Sequence, residues 1–377
     1  MMDFEFSAEQ EQLRESVSRF LDARAPIRWV RDRYDDETGT TDDVAKGLAG
    51  LGVLGLLVPD ADGGAGSGMV DAAVVLEELG RALYPGPFAS SAIGAVSLVL
   101  LAGDDTDRSA LLPGMAAGDT VATIAVLEPG RRAEWRGPRT TAVAKGDGWR
   151  IDGTKAHVMD LAAADLVLAT ATGADGTLGV FSIAVDAPGV TATASPSVDG
   201  TRKEGTLTLD GAPGHRLSSR DARSAVAETI DRLAVAAVVE GVGTAARALE
   251  ISVDYAKERR QFDAPIGSFQ AVQHLCADML RAVELARAAG YYACWAVDAA
   301  PADERHRAAT MALAFAADEL PRVGASAVQV HGGIGFTWEH DIHLFYKRLL
   351  TLQETGGGST DQLEELASIV LDGPSAD

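Results

Sequence analysis

The chain has 377 residues, 47% of them hydrophobic and 23% charged, with a formal net charge of −22 at neutral pH. That is ample material for a core and too apolar for default disorder. The acidic balance argues against non-specific binding to nucleic acid or anionic lipid, so any anionic ligand must be held by local positive groups.

The two cysteines, Cys276 and Cys294, are too few for a disulfide framework and point to a reducing compartment. Both sit in apolar helical text and read as core residues rather than nucleophiles. The opening MMDFEFSAEQEQL is acidic and amphipathic, without a basic region followed by an apolar one, so no secretory leader is expected. No run approaches the roughly 18 apolar residues of a membrane span. A globular cytoplasmic protein is the expectation.

Taken in chain order, residues 1–118 carry apolar residues at helical spacing, as in EQLRESVSRFLDAR and MVDAAVVLEELGRAL, and Ser7 with Glu9 and Gln10 marks a helix start. Residues 119–217 change texture: TVATIAVLEP, ADLVLATATG and TLGVFSIAVD are short, alternating and separated by Gly and Asp turns. They predict an antiparallel β barrel or sandwich. Residues 218–377 return to helix, first with an almost unbroken stretch of about 35 residues, about 50 Å long. Two further long helices are expected near residues 269–300 and 303–330. The fold class is therefore α+β, a β domain between two helical ones, an uncommon order. The tail LDGPSAD is expected to fray.

Common phosphate and nucleophile motifs are absent. The glycine clusters DGGAGSGM and ETGGGSTD lack the spacing of a dinucleotide fingerprint and the lysine of a P-loop, and there is no G-x-S-x-G elbow. His340 and His343, beside Glu339 and Asp341, raise the thought of a metal, but three-residue spacing without a further cluster fits a polar turn better. No metal is expected.

Two stretches carry more information. DYAKERRQFDAPIGSFQ holds Tyr255, Arg259, Phe262, Ile266, Phe269 and Gln270 in a Y-x-x-x-R-x-x-F pattern followed by I-x-x-F-Q. QVHGGIGF holds Gln329, Gly332, Gly333, Gly335 and Phe336 in a Q-x-x-G-G-x-G-[FY] pattern. Together, in this order and distance, they resemble the acyl-CoA dehydrogenase family, and the helical, β, helical order matches over nearly the whole chain. The resemblance implies an FAD-dependent enzyme that desaturates an acyl-CoA thioester between Cα and Cβ. It also implies a tetramer of like or related subunits, with an electron-transferring flavoprotein as acceptor. Arg259 would meet the FAD pyrophosphate of a neighbouring subunit, Phe262 would pack on the adenine and Gln270 would add a polar contact. Gln329, Gly332 and Gly333 would approach the cofactor closely. An arginine suits the first task because its planar, permanent fork grips phosphate oxygens.

The chemistry needs a base for the α proton. In many members it is a Glu just after the second signature, but alignment from Lys347-Arg348 puts that position at about Gly356; Glu354 is two residues away. Other branches carry the base on the long helix, ten residues before a glycine and just before an arginine. Counting from Gly241 gives Asp231, followed by Arg232 in a supporting role. Asp231 lies 28 residues before Arg259, nearly eight turns and about 42 Å along a helix, so the helix would serve its own site at one end and a neighbour's cofactor at the other. Burial in an acyl pocket would raise the pKa of Asp231 and make it a better base. Glu240 is the other acidic candidate and faces the opposite side of the helix.

The β region departs from the family pattern. Where members carry a T-E-P-like segment holding the flavin ring, the chain reads Leu127, Glu128, Pro129, Gly130. Where they carry a W-I-T-like stretch, it reads His157, Val158, Met159. The resemblance therefore leaves two alternatives beside an active homotetramer: a partner subunit that completes the FAD site of a heteromeric acyl-CoA dehydrogenase, or an acyl-CoA oxidase or nitroalkane-oxidase-like flavoenzyme.

Overall fold

The first helix starts where the sequence places its cap. The Gln10 amide donates to the Ser7 hydroxyl at 3.2 Å, and the Ser7 amide donates to the Gln10 side chain at 3.0 Å. Two donors that a helix start leaves without partners are thereby satisfied. The computed structural model describes residues 6–131, 134–146 and 148–372; the tail from Gly373 onward, expected to fray, lies outside the described residues.

Helices α1 (Ala8–Arg24), α2 (Ile27–Asp32), α3 (Asp42–Gly50) and α4 (Met69–Arg81) come first. A buried π-helical segment, Phe88–Ala95, leads into α5 (Val96–Ala102), and α6 (Asp105–Ala117) follows. Seven strands come next: β1 (Ala122–Ala125), β2 (Thr141–Lys145), β3 (Gly148–Met159), β4 (Leu166–Gly173), β5 (Leu178–Ala184), β6 (Val190–Ser195) and β7 (Glu204–Arg216). The long helix α7 (Arg223–Glu258) runs unbroken for 36 residues, as its lack of breakers predicts. The small strands β8 (Arg260–Gln261) and β9 (Ala264–Pro265) precede α8 (Gln270–Ala299), α9 (Ala302–His331), α10 (Ile342–Glu354) and α11 (Ser359–Ala367). Helical ends flanking a β region are the architecture expected from the sequence. Among the described residues no helix is long and apolar enough to cross a membrane.

By their contacts the residues fall into two units. One comprises residues 30–72 and 85–233; the other comprises 1–29, 73–84 and 234–377.

In the first unit the seven strands form one sheet. The pairings β4–β2, β2–β3, β3–β7, β7–β5 and β5–β4 form a ring, with β1 added beside β4 and β6 beside β7. The expected antiparallel barrel is thus largely present, with one difference: β1 and β2 both pair with β4 in parallel. The chain between each of them and β4 includes the β2–β3 hairpin or its second strand, which gives the long crossover that parallel pairing needs. Inward-facing Ile151, Val158, Val167, Phe181, Ile183 and Leu207 build the core.

Among these apolar neighbours lies Lys155, 0% exposed. Its ammonium donates to Glu128 at 3.1 Å and to the Thr170 hydroxyl at 3.1 Å. Glu128 also accepts the Thr140 amide and hydroxyl at 2.9 and 2.7 Å and the Arg139 amide at 2.8 Å. Burial pushes the Glu128 carboxyl up, but those donors and Lys155 outweigh it and draw its pKa down to about 2. Burial brings Lys155 down to about 8, against the pull of Glu128.

In the second unit α4 and α7 cross backbone to backbone. A Cβ on Gly80 would lie 2.0 Å from the Glu240 carbonyl, and one on Gly243 would lie 1.9 Å from that of Glu77. The Thr244 hydroxyl donates to the Gly80 carbonyl at 3.0 Å, and Arg81 grips Glu250 through two bonds of 2.8 and 2.9 Å. Helices α8 and α9 pack beside this crossing. Cys294 is buried in α8, as expected, whereas Cys276 is only partly buried.

Removing one partner of the barrel's buried pair leaves the other charge unpaired. We expect Lys155→Met to lower stability by about 3 kcal/mol or more in denaturant unfolding. The Glu128 contribution is present above the carboxylate's ordinary 4.5 and is lost as pH falls from there toward about 2. Glu128→Gln should flatten that part of the stability profile.

Candidate functional site

Helix α7 ends at Glu258, and the next residues turn back sharply. Arg259 donates its amide to the Tyr255 carbonyl and accepts the Ile266 amide, both at 2.8 Å. Strands β8 and β9 form a minimal hairpin whose two turn residues, Phe262 and Asp263, have φ of 51° and 59°. Positive φ at both central positions is the signature of a type I′ turn, which favours Asn-Gly because a Cβ is strained there. The chain instead holds a phenylalanine there, 89% exposed and edge-on to Phe269 with ring centroids 6.1 Å apart. The Arg260 guanidinium donates to the Asp263 carbonyl and closes the turn. Arg259 is exposed, and its guanidinium makes no hydrogen bond or ion pair among the described residues. Gln270, also exposed, begins α8.

The second signature ends α9. Gln329, Gly332 and Gly333 are exposed. Gly332 has φ 64° and ψ −143°, a conformation that is essentially glycine's alone. A Cβ on Gly332 or Gly333 would meet nothing within 4 Å, so the space beside this backbone is open. Gly335 differs: its Cβ would lie 2.9 Å from the Val328 carbonyl, so glycine is required for packing.

The two signatures meet through aromatic rings. Tyr255, one turn before Arg259, stacks on His331, next to Gly332, with centroids 4.4 Å apart and planes at 26°. His340 packs on His331, also at 4.4 Å. His343 instead meets Trp338 edge-on at 4.7 Å, so the two histidines once considered as a metal pair pack on different partners. Among the described residues no group of three His, Cys, Asp or Glu side chains could hold a metal ion.

In the other unit the two segments expected to hold a flavin ring are neighbours. Ala156 donates its amide to the Leu127 carbonyl at 3.0 Å. Glu128, between Leu127 and Pro129, is turned into the barrel and spent on Lys155 and Thr140. A register shift between Lys155 and Val158 breaks β3 next to His157, whose φ is 52°. The His157 ring is exposed and meets Glu204 at 2.9 Å through Nδ1. Bulges of this kind re-aim side chains.

The acidic candidates have different surroundings. Asp231 is buried, 6% exposed. Arg232, expected to support it, is ion-paired with Glu228 one turn back, at 3.1 Å. Glu240 is buried and ion-paired with Arg348 of α10, which also reaches the carbonyls of Leu83 and Tyr84 at 3.4 and 3.3 Å. Glu354 is exposed at the end of α10. Gly356 has φ 66°, a conformation that strains any residue with a side chain, and its Cβ would lie 2.5 Å from the movable end of Gln362.

Comparison with known proteins gives the family. Models of the acyl-CoA dehydrogenase N-terminal and C-terminal domains match residues 7–119 and 224–371. The chain belongs to the acyl-CoA dehydrogenase family of oxidoreductases. It is 32% identical to acyl-CoA dehydrogenase IpdE2 of Mycolicibacterium smegmatis, covering 97% of this chain and 100% of that one. Among solved structures, a variant described as the Tcur3481-Tcur3483 steroid ACAD superposes with a TM-score of 0.88 at 33% identity, covering 97% of this chain and 98% of the other. The ChsE4-ChsE5 complex of Mycobacterium tuberculosis superposes at 0.89 with 28% identity, covering 99% and 100%.

Sequence reasoning did not find Lys155, His331 or the pairing of Arg348 with Glu240. The alternation in β3 held a signal for the first, since Lys155 shares a face with Ile151.

Asp263→Gly should relieve left-handed strain in the hairpin and stabilise the protein by about 0.5–1 kcal/mol, measured by thermal unfolding with Asp263→Ala as the comparison.

Proposed function

We propose that this chain takes part in FAD-dependent α,β-desaturation of an acyl-CoA thioester. The observation that carries the reading is the Tyr255–His331 stack. It joins a free, exposed arginine and an outward-facing phenylalanine to a glycine backbone that has open space beside it. That donor set fits the diphosphate and adenine of FAD contributed across a subunit interface. Arg259 suits the phosphate oxygens, Phe262 offers an apolar face to the adenine, and Gln270 and Gln329 add polar contacts. Gly332 and Gly333 permit close backbone approach.

When bound, FAD supplies the acceptor for the hydride that leaves the substrate Cβ. Asp231 carries the matching step: its carboxylate takes the Cα proton, and the loss of both leaves the Cα=Cβ bond. Its burial excludes water from that transfer, while Glu240 is already neutralised by Arg348. An electron-transferring flavoprotein would then take the electrons.

A second reading has specific support: the chain completes a partner subunit's cofactor site while its own flavin-ring segment is weak. Leu127 offers no hydroxyl, Glu128 faces the barrel core, and Gly356 offers no carboxylate and has a φ that disfavours a side chain. The ChsE4-ChsE5 relative is a two-protein complex by its description.

The visible spectrum of the purified chain separates the two. Flavin near one per chain in the protein alone supports the homomeric dehydrogenase; flavin acquired only with a related partner supports the heteromer; none in either case defeats both. Arg259→Ala should lower FAD affinity about tenfold or more by equilibrium dialysis. Asp231→Asn should cut turnover about 10²-fold or more with FAD content unchanged, and full activity in that variant would remove Asp231 as the base.

A further inference from the structure

We propose that His331 is a positioning residue for the cofactor half-site: its uncharged ring, packed in a cluster with Tyr255 and His340, ties the helix end carrying Arg259 to the Gly332–Gly333 backbone. The proposal rests on the FAD reading above and adds a residue that neither signature pattern specifies.

The geometry fixes the ring's state. His331 is 4% exposed, and its Nδ1 lies 2.8 Å from the Ala327 carbonyl. A carbonyl can only accept, so Nδ1 carries the proton. Nε2 is also buried and has no hydrogen-bond partner among the described residues. A second proton there would be a buried N–H without an acceptor, which is costly. The titratable groups facing the ring are Tyr255 from α7 and His340 from the loop ahead of α10. No carboxylate bonds either ring nitrogen. His340 accepts the Ile342 amide on its own Nδ1 at 3.1 Å.

The position of the stack gives it leverage. Tyr255 precedes Arg259 by one helical turn, and the Arg259 amide hydrogen-bonds the Tyr255 carbonyl. His331 is the last residue of α9, directly before Gly332. Any tilt of the imidazole therefore reaches both parts of the half-site. Behind the ring, Gly335 leaves room: a Cβ there would lie 3.1 Å from the His331 Cβ.

The sign of the pH effect follows. Burial lowers the His331 pKa below the ordinary 6.5, the bond to Ala327 opposes it, and His340 adds to it. As pH falls through 6.5 the unfolded chain takes up a proton that the folded one does not, so stability falls with pH until the lowered folded value is passed.

The test uses the full chain, with its partner subunit if FAD uptake requires one. Thermal stability and FAD dissociation constants are measured from pH 5 to 8 for the unsubstituted protein, His331→Phe, His331→Leu and Tyr255→Leu. Phe keeps a stacking ring without a titrating nitrogen; Leu keeps bulk without a ring. We expect His331→Phe to retain FAD affinity at pH 7.5 and to lose the stability decline below pH 6.5. His331→Leu and Tyr255→Leu should each weaken FAD about three- to tenfold, the range of an aromatic contact. If both Leu variants bind FAD like the unsubstituted protein, or if His331→Phe keeps the decline, the positioning role is overturned. If no form of the unsubstituted chain takes up FAD, the functional reading falls and the proposal with it.

Discussion

The structure of the helical unit depends on one close crossing. Gly80 and Gly243 let α4 and α7 touch main chain to main chain, and the contacts leave no room for a single carbon at either position. Around this crossing sit polar groups that such burial demands be satisfied. Glu77 accepts Arg287 at 3.1 Å and the Tyr291 hydroxyl at 2.9 Å, Arg81 is forked onto Glu250, and Glu240 is locked to Arg348. Each pair joins two helices, and in the Glu240–Arg348 pair, buried on both sides, loss of one partner would strand a buried charge rather than merely remove a contact. The crossing thus fixes the axis of α7, and with it the position of Tyr255 and the hairpin that follows.

What the crossing holds still, the hairpin spends. Two consecutive non-glycine residues in left-handed conformation, one of them an exposed phenylalanine, are a local cost that propensity alone would not select. A ring 89% exposed at the tip of a strained turn is poorly explained by this chain's own packing. It is better explained by a surface outside the chain on which that ring can lie. The neighbouring glycines present the same feature in backbone form, because among the described residues nothing lies within 4 Å of where their side chains would start.

The parts of this architecture legible in sequence were those written in local pattern. The capping box at Ser7, the unbroken α7 and the change to alternating strands each follow from neighbouring residues, and the structure has them. The flanking of a β region by helices was legible for the same reason, and the two signatures could be recognised as an ordered set. The parallel pairings to β4 were not legible, because they join strands far apart in sequence and depend on how the ring closes. Nor was the fate of Glu128. In sequence it falls in a segment that resembles one expected to hold a flavin ring; in the barrel it is the counter-ion of Lys155, a partner 27 residues away. The aromatic stack at His331 was hidden likewise, since Tyr255 and His331 become neighbours only when α7 and α9 end side by side.

The search for a base shows how packing sorts candidates that sequence leaves level. Asp231 and Glu240 lie nine residues apart on one helix, and both are buried. Glu240 holds α7 to α10 through Arg348, and to take a substrate proton it would have to release a buried guanidinium. Glu354 is exposed at the end of α10. Gly356 owes its place to a left-handed turn and to Gln362, which donates to its carbonyl at 2.6 Å, so that segment is shaped around the lack of a side chain. Toward the start of α7 Asp231 is buried, and its neighbour Arg232 is ion-paired with Glu228.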